Sequence, residues 1–184
     1  MVSNMLIISH RGNLEGPDKI TENNPEQIKK ALDQVGQVEI DLWAEEKELE
    51  DELFLGHDEA TYYIKSEFLY HPGLWVHCKN VYAFTYCWDL AKRLKNLKFF
   101  SHAQDDFALV VADGNIATYA WTYPGKNLLH QSFHLPIDPP AIAVLPETVR
   151  TPRAAREPHG ICTDFPLRYM KEYNINDRIN SRIV

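Results

Sequence analysis

Glu39 and Asp41 are acidic residues whose spacing lets them act together. They lie in the segment VEIDL at 38–42, in which apolar and acidic residues alternate. On a β-strand this alternation places both carboxylates on one face and the apolar side chains on the other. Two carboxylates on a buried face need a neutralising cation, and their oxygens suit Mg²⁺ or Ca²⁺. We therefore expect a divalent-metal site here; the alternative is a half-exposed strand with both carboxylates in solvent.

Two histidines that follow short apolar segments are candidates for proton transfer. His10 follows the apolar run at 5–8, and His57 follows the segment LFLG at 53–56. Imidazole can both take and give a proton near neutral pH. Cleavage of a phosphodiester needs a base for the nucleophile and an acid for the leaving alkoxide, so we predict His10 and His57 as the catalytic pair. At each position a purely structural histidine is the alternative.

Two basic residues could bind a phosphate group beside these histidines. Arg11 offers a fork of hydrogen-bond donors, and Lys79 offers a point charge. Either residue could equally be an ordinary surface cation.

The elements that must position these residues alternate between strands and helices. The short, mainly apolar segment at 6–9 predicts a strand. The segment NPEQ at 24–27 predicts a helix start, with apolar residues at 28, 31, 32 and 35 and a stop at Gly36. A strand at 38–42 completes a βαβ unit, which favours a parallel sheet. The extended segment at 54–58 and a third core strand at 74–78 follow.

The remainder of the chain continues this pattern with one interruption. Asn80 is placed to cap a helix that runs to residue 94, and residues 99–100 predict a fourth strand. Asp113-Gly114 indicates a hairpin between 109–111 and 116–121. Strands are expected at 141–145 and 160–163, a loop at 148–159, and a closing helix at 166–173. Because the carboxyl ends of parallel barrel strands form one face, the polar residues at 10–11, 39, 41, 57–58 and 79 should converge. Ser101, His102, Asp105 and Asp106 could line the same face.

Composition limits the class of protein. A chain of 184 residues, 45% hydrophobic, suits a single domain over 1–184, and its net charge of −7 argues against coating nucleic acid. No segment approaches the roughly 20 apolar residues of a membrane span, and the apolar run at 5–8 is too short for a signal-peptide core. Three cysteines without C-x-x-C spacing indicate free thiols in a reducing compartment. We therefore expect a cytoplasmic protein, with its oligomeric state undetermined.

The order of these motifs resembles the signature of the glycerophosphodiester phosphodiesterase family. The matching segments are SHRG at 9–12, TEN at 21–23, VEIDL at 38–42 and GHD at 56–58, with GICTDFP at 160–166 similar to the family's last strand. The resemblance implies α/β architecture, as a shortened or irregular (β/α)8 TIM barrel of the PLC-like phosphodiesterase type. It implies a metal on Glu39 and Asp41, His10 and His57 as the acid–base pair, and a phosphate site supported by Arg11 and Glu22.

The same resemblance implies an activity. It is that of a phosphoric diester hydrolase of lipid metabolism that acts on a small glycerophosphodiester, where a neighbouring substrate hydroxyl first attacks phosphorus. Two alternatives stay open: a lyase that uses the same histidines and releases a cyclic phosphate, and a degenerate barrel that binds a phosphorylated ligand without turnover.

The chain departs from the family pattern in two respects. The family usually has Glu-x-Lys at the third strand, whereas this sequence has His77-Cys78-Lys79. Lys79 is kept, and His77 becomes the expected third metal ligand, which suits Mn²⁺ or Zn²⁺ better than Ca²⁺. Because the two carboxylates suit hard cations, the expected ion is Mg²⁺ or Ca²⁺, with Mn²⁺ as the alternative. The chain is also shorter than the about 250 residues of typical barrels, so helices must be trimmed or a strand replaced by the hairpin.

Overall fold

The computed structural model describes residues 5–45, 52–102, 107–112, 116–122, 141–148, 158–173 and 175. Over these ranges the chain forms a mixed α/β structure with one mostly parallel sheet and three α-helices. The strands are β1 Leu6–His10, β2 Val38–Glu45, β3 Glu52–Leu55, β4 Tyr62–Ile64, β5 Leu74–Cys78, β6 Lys98–Phe100, β7 Phe107–Ala112, β8 Ile116–Thr122, β9 Ala141–Val144 and β10 Gly160–Thr163. The helices are α1 Pro25–Val35, α2 Val81–Ala91 and α3 Pro166–Glu172, with 3-10 turns at Ser66–Tyr70 and Pro146–Thr148.

The strand pairings form a closed circuit. β1 pairs in parallel with both β10 and β2, and the remaining pairs run β2–β5, β5–β6, β6–β7, β7–β8, β8–β9 and β9–β10. Within this circuit β7 is the one strand that is antiparallel to both of its neighbours. The carboxyl ends of the other seven strands therefore lie at one edge of the sheet. β3 and β4 form an antiparallel hairpin that extends from β2 outside the circuit.

Helix α1 forms where the sequence predicts it. The Asn24 side chain accepts hydrogen bonds from the backbone N–H groups of Glu26 and Gln27, and Pro25 occupies the first turn. Gly36 ends the helix with φ 80°, a left-handed conformation that glycine adopts without a steric cost. One face of α1 is buried against the sheet, through Ile28, Ala31, Leu32 and Val35.

Two apolar clusters lie on opposite faces of the sheet. The helix-side cluster includes Ile28 of α1, Ile40 of β2 and Val76 of β5. The second cluster consists of Ile8, Trp75, Phe100, Val110, Trp121, Ile142, Val144 and Cys162. Since side chains alternate along a strand, His10 lies on the same face as Ile8, and His77 on the same face as Trp75. The polar residues at these strand ends therefore adjoin the second cluster.

Most predicted elements are confirmed, and one of them, the strand before His57, lies outside the circuit of strand pairings. Strands occur at 74–78, 98–100, 141–144 and 160–163, helix α2 begins after Asn80, and the closing helix spans 166–172. β7 and β8 form the predicted hairpin, while Asp113 and Gly114 lie outside the described residues. The segment before His57 is not a parallel strand of the circuit, because β3 is antiparallel to β2.

The described residues do not show a complete outer layer of helices around the sheet. Three α-helices occur in the described ranges, so a complete (β/α)8 arrangement stays a prediction. No helix in these ranges is long and apolar enough to cross a bilayer.

Candidate active site

Asp41, on β2, is surrounded by polar and charged residues from several elements. Its side chain is almost fully buried, and it is held by Asn23 through a pair of hydrogen bonds. Asn23 Nδ2 donates to Asp41 Oδ2 at 2.9 Å, and the Asp41 backbone N–H donates to Asn23 Oδ1 at 2.9 Å. Asn23 itself is buried and adopts φ 60°, a left-handed conformation that asparagine tolerates better than most residues. The loop before α1 is thereby fastened to β2.

Three cationic or protonatable groups surround the Asp41 carboxylate. His77 Nδ1 lies 2.9 Å and Lys79 Nζ 3.5 Å from Oδ1, and Arg11 Nε lies 3.2 Å from Oδ2. Burial alone would raise the pKa of Asp41, but the hydrogen bond with His77 and the charges of Arg11 and Lys79 lower it well below the usual value. Asp41 is therefore ionised at neutral pH.

Glu39 shares the strand face with Asp41 but lacks comparable partners. It is 3% exposed, and its Oε2 accepts one long hydrogen bond of 3.3 Å from the Arg11 backbone N–H. The nearest ring nitrogen, His77 Nδ1, is 3.9 Å from Oε1. Burial and the adjacent Asp41 charge raise the pKa of Glu39. A buried carboxylate in this setting favours a nearby cation.

His77 reaches the same point from β5, which pairs with β2 so that His77 lies opposite Asp41. Its ring is nearly parallel to Phe100, with ring centroids 5.1 Å apart, and to His102, with centroids 4.8 Å apart. Its Nε2 is 3.3 Å from the backbone carbonyl oxygen of His102. These contacts fix the plane of the imidazole with Nδ1 directed at the carboxylates.

Glu39, Asp41 and His77 can together bind a divalent cation. Each offers one ligand atom, and these atoms lie within 4.8 Å of one another. Two carboxylate oxygens and one imidazole nitrogen form a donor set found for divalent ions in proteins. An ion there would neutralise the buried Glu39 carboxylate, so these three residues could hold a divalent metal.

His10 is paired with Asp164 at the end of the chain's last strand. His10 Nδ1 and Asp164 Oδ1 are 2.8 Å apart, and both side chains are nearly buried. Burial lowers the pKa of His10, but the Asp164 hydrogen bond and the Glu39 charge outweigh it, so the pKa is raised. Burial would raise the pKa of Asp164, yet the His10 hydrogen bond and charge lower it. This pairing leaves His10 Nε2 as the nitrogen available for proton transfer.

Arg11 connects the His10 region with the acidic residues. It has φ 52°, and its Nη1 donates to Glu22 Oε2 at 3.1 Å. Asn13 Nδ2 lies 3.1 Å from Glu22 Oε1 and 2.8 Å from Asp164 Oδ1. One hydrogen-bonded network therefore joins Arg11, Glu22 and Asn13 to the His10–Asp164 pair.

Comparison with protein-family models, with curated proteins and with solved structures finds no match to this chain. The geometry of the site is thus the basis for its interpretation.

The structure brings most of the predicted site residues together. Arg11, Glu22, Glu39, Asp41, His77 and Lys79 are linked by the contacts above, and His10 adjoins them because it pairs with Glu39 across β1 and β2. Lys79 contacts Asp41 and is largely buried, so it is not an ordinary surface cation.

His57 is the exception among the predicted catalytic residues. Its Nδ1 contacts the neighbouring Asp58 at 2.6 Å, and its side chain is 39% exposed. It remains near the site, because the Gly56 backbone N–H donates to the Asp41 carbonyl oxygen at 3.1 Å. Within the part of the chain that the structure describes, however, His57 makes no hydrogen bond or ion pair with Glu39, Asp41 or His10. Among the proposed lining residues, His102 stacks on His77, while Asp105 and Asp106 lie outside the described ranges.

Four residues of the site were missed by the sequence interpretation. Asn23 and Asp164 both lie in motif segments, TEN and TDFP, so their positions carried a signal. Asn13 and Glu147 carried none. The Glu147 Oε1 atom accepts hydrogen bonds from the Thr163 hydroxyl at 2.8 Å and from the Asp164 backbone N–H at 3.0 Å.

Proposed function

We propose that this protein is a metal-dependent phosphodiesterase that hydrolyses a small glycerophosphodiester. The observation that carries the proposal is the proximity of a His–Asp pair, His10 with Asp164, to a buried carboxylate pair, Glu39 with Asp41. Proton transfer, phosphate binding and charge neutralisation each have a candidate group in this set. The resemblance of the motifs at 9–12, 21–23, 38–42 and 56–58 to the glycerophosphodiester phosphodiesterases gives the substrate class.

For the fold, we propose a shortened TIM barrel of the PLC-like type. The closed circuit of eight strand pairings supports it, as does the position of the site at the carboxyl ends of β1, β5 and β10 and on the part of β2 that pairs with β1 and β5. The antiparallel β7, paired with β8, agrees with the replacement of one barrel strand by a hairpin. The described ranges contain three α-helices, fewer than a full barrel has, and this agrees with the short chain.

In the proposed reaction His10 is the base. Because Asp164 accepts the hydrogen bond from Nδ1–H, the Nε2 lone pair can take the proton of the substrate hydroxyl that attacks phosphorus, which forms a cyclic phosphate and expels the other alcohol. Water then opens the ring, with His57 taking a proton from the water and His10 returning its proton to the ring oxygen that leaves. Asp164 also stabilises the imidazolium that forms. A divalent ion held by Glu39, Asp41 and His77 would neutralise negative charge on the phosphate.

Arg11 and Lys79 are proposed to bind the phosphate. Arg11 donates through Nη1 to Glu22 and lies with Nε 3.2 Å from Asp41, and its guanidinium is proposed to donate further to a phosphate oxygen. The Lys79 ammonium adds positive charge from the other side of Asp41. His57 is the proposed acid for the leaving alkoxide, a role that requires its ring to leave Asp58 and turn toward the substrate.

The position of His57 also favours a second candidate function. A barrel that binds a phosphorylated ligand without turnover needs the cations but not the second histidine. The side-chain hydrogen bond of His57 is to Asp58 and not to a residue of the acidic pair. A lyase that releases a cyclic phosphate would use the same His10 base, and product identity separates it from the hydrolase.

The proposal is tested by turnover of glycerophosphocholine, whose glycerol hydroxyl neighbours the phosphate, with Mg²⁺, Ca²⁺, Mn²⁺ or EDTA. We expect metal-dependent release of choline that falls by ~10²–10⁴-fold in His10→Ala, since general acid–base catalysis contributes that much. Lys95→Ala, at an exposed position, is the matched control and should retain wild-type turnover. Absence of turnover with every metal, together with retained binding of glycerol phosphate, would favour the binding protein over the enzyme.

A further inference from the structure

We infer that His77 makes this site selective for a divalent transition metal, such as Mn²⁺, Co²⁺ or Zn²⁺, over Mg²⁺ and Ca²⁺. The inference rests on the proposed metal site and specifies which ion that site takes.

The hydrogen-bond partners of the two His77 nitrogens determine what each nitrogen can bind. Nε2 faces the carbonyl oxygen of His102 at 3.3 Å, and a carbonyl oxygen can only accept, so Nε2 carries the hydrogen. Nδ1 faces Asp41 Oδ1 at 2.9 Å, and an ionised carboxylate also only accepts. With the hydrogen on Nε2, the Nδ1 lone pair is directed at the carboxylates, where it can bind a metal ion. Histidines that bind metals commonly donate the other ring N–H to a backbone carbonyl in this way.

The groups around the two carboxylates differ. Asp41 has Arg11 and Lys79 beside it, whereas among the described residues the side-chain nitrogen nearest to Glu39 is His77 Nδ1, 3.9 Å from Oε1. The hydrogen bond that Glu39 accepts comes from the Arg11 backbone N–H and reaches Oε2 at 3.3 Å. A divalent ion among the three ligand atoms, which lie within 4.8 Å of one another, would neutralise both carboxylates.

The imidazole is also held in place before any ion arrives. Its ring is within 1° of parallel to Phe100 and within 10° of parallel to His102. A fixed nitrogen ligand costs little reorganisation when an ion binds. Ca²⁺ takes six to eight oxygen ligands and Mg²⁺ requires oxygen ligands in a near-ideal octahedron, whereas imidazole suits later first-row ions. The donor set of two carboxylates and one imidazole therefore favours the transition metals.

The direct test reads out the metal–nitrogen bond. Chelator-treated wild-type protein is loaded with Mn²⁺, and pulsed electron paramagnetic resonance measures the hyperfine coupling to a ¹⁵N-labelled histidine. We expect a coupling from one directly bound imidazole in wild type and its loss in His77→Glu. His159→Gln changes a histidine that precedes β10, at the other end of that strand, and should keep the coupling.

Calorimetric titration of Mn²⁺, Mg²⁺ and Ca²⁺ gives the selectivity. We expect the preference for Mn²⁺ over Ca²⁺ to fall by at least about tenfold in His77→Glu, because a nitrogen ligand is replaced by oxygen. Mn²⁺ bound without nitrogen coupling, or no ion bound at all, would overturn the inference. The wild-type spectrum keeps the test valid even where His77→Glu does not fold.

These outcomes separate the inference from the proposed function. A nitrogen-bound Mn²⁺ in a protein that cleaves no diester would support the role of His77 and reject the phosphodiesterase. Metal-dependent turnover with an ion held by oxygen alone would support the phosphodiesterase and reject the role of His77 as a ligand.

Discussion

Asp164 accepts a hydrogen bond from His10 at 2.8 Å across 154 residues of sequence. The two residues lie at the carboxyl ends of β10 and β1, which are adjacent parallel strands. The pair exists because the last strand of the chain returns to the first. The base proposed for catalysis therefore depends on the correct closure of the sheet.

Asp164→Asn should impair catalysis while leaving the metal site intact. The amide no longer carries the charge that stabilises a protonated His10, and its N–H₂ group can turn toward Nδ1 and impose the wrong tautomer. We expect turnover to fall by ~10²–10⁴-fold, the range of acid–base contributions, with the affinity for Mn²⁺ unchanged. Asp33→Asn, at an exposed position on α1, is the matched control. Wild-type turnover in Asp164→Asn would contradict the assigned role.

The His10–Asp164 pair should make stability depend on pH in a specific window. The folded state lowers the pKa of Asp164, so this contribution is present above the unfolded value of about 3.9 and is lost as pH falls through the folded value. The folded state raises the pKa of His10, so that contribution is full below the unfolded value of about 6.5 and is lost as pH rises through the folded value. The free energy of unfolding lost in His10→Gln should therefore be largest between about pH 4 and 6.5.

Urea unfolding of both proteins in EDTA, at intervals from acid to alkaline pH, measures this difference. A difference that is constant across the range would show that the pair contributes no charge-dependent stability.

Replacement of Asn23 and replacement of its neighbour Asn24 should differ in their effect on metal affinity. Asn23→Ala leaves the buried Asp41 N–H without its partner and removes one of the two groups beside Oδ2, which should cost ~1–3 kcal/mol and weaken metal binding. Asn24→Ala removes the cap of α1, which should cost ~1 kcal/mol and leave metal affinity unchanged. Thermal unfolding with and without Mn²⁺ distinguishes the two variants. An equal metal-induced rise in Tm in both would contradict the role of Asn23 in the site.

Glu147 should act on His10 through the turn that carries Asp164. Its Oε1 binds the Thr163 hydroxyl and the Asp164 N–H, and Leu145 just before it adopts φ 45°, an uncommon conformation for this residue type. Glu147→Ala should lower both Tm and turnover, and Glu147→Gln, which keeps an oxygen acceptor, should recover most of both. Equal losses in the two variants would show that the carboxylate charge, rather than its hydrogen bonds, is what matters.

The acidic pair and the first helix could be predicted because local sequence determines them. Alternation in VEIDL places Glu39 and Asp41 on one face, and the NPEQ segment with Gly36 determines where α1 begins and ends. His77 is predicted as a ligand because it stands where the resembled family has a Glu, and it lies in register with Asp41.

Other features of the site depend on contacts that local sequence does not encode. The apolar residues before His57 predict a strand but not its direction, and the antiparallel β3 leaves His57 exposed beside Asp58. The hydrogen bond of Asn13 to Asp164 joins residues 151 positions apart. Glu147 belongs to the site only because β9 and β10 are paired.

The most direct test of the central claim is ³¹P nuclear magnetic resonance of glycerophosphocholine incubated with wild type and with His10→Ala, in Mn²⁺ and in EDTA. We expect wild type with Mn²⁺ to convert the diester signal into that of glycerol phosphate, and the other three samples to show no conversion above background. An unchanged diester in wild type with Mn²⁺ and with every other divalent ion, from protein shown to bind the ion, would contradict the account.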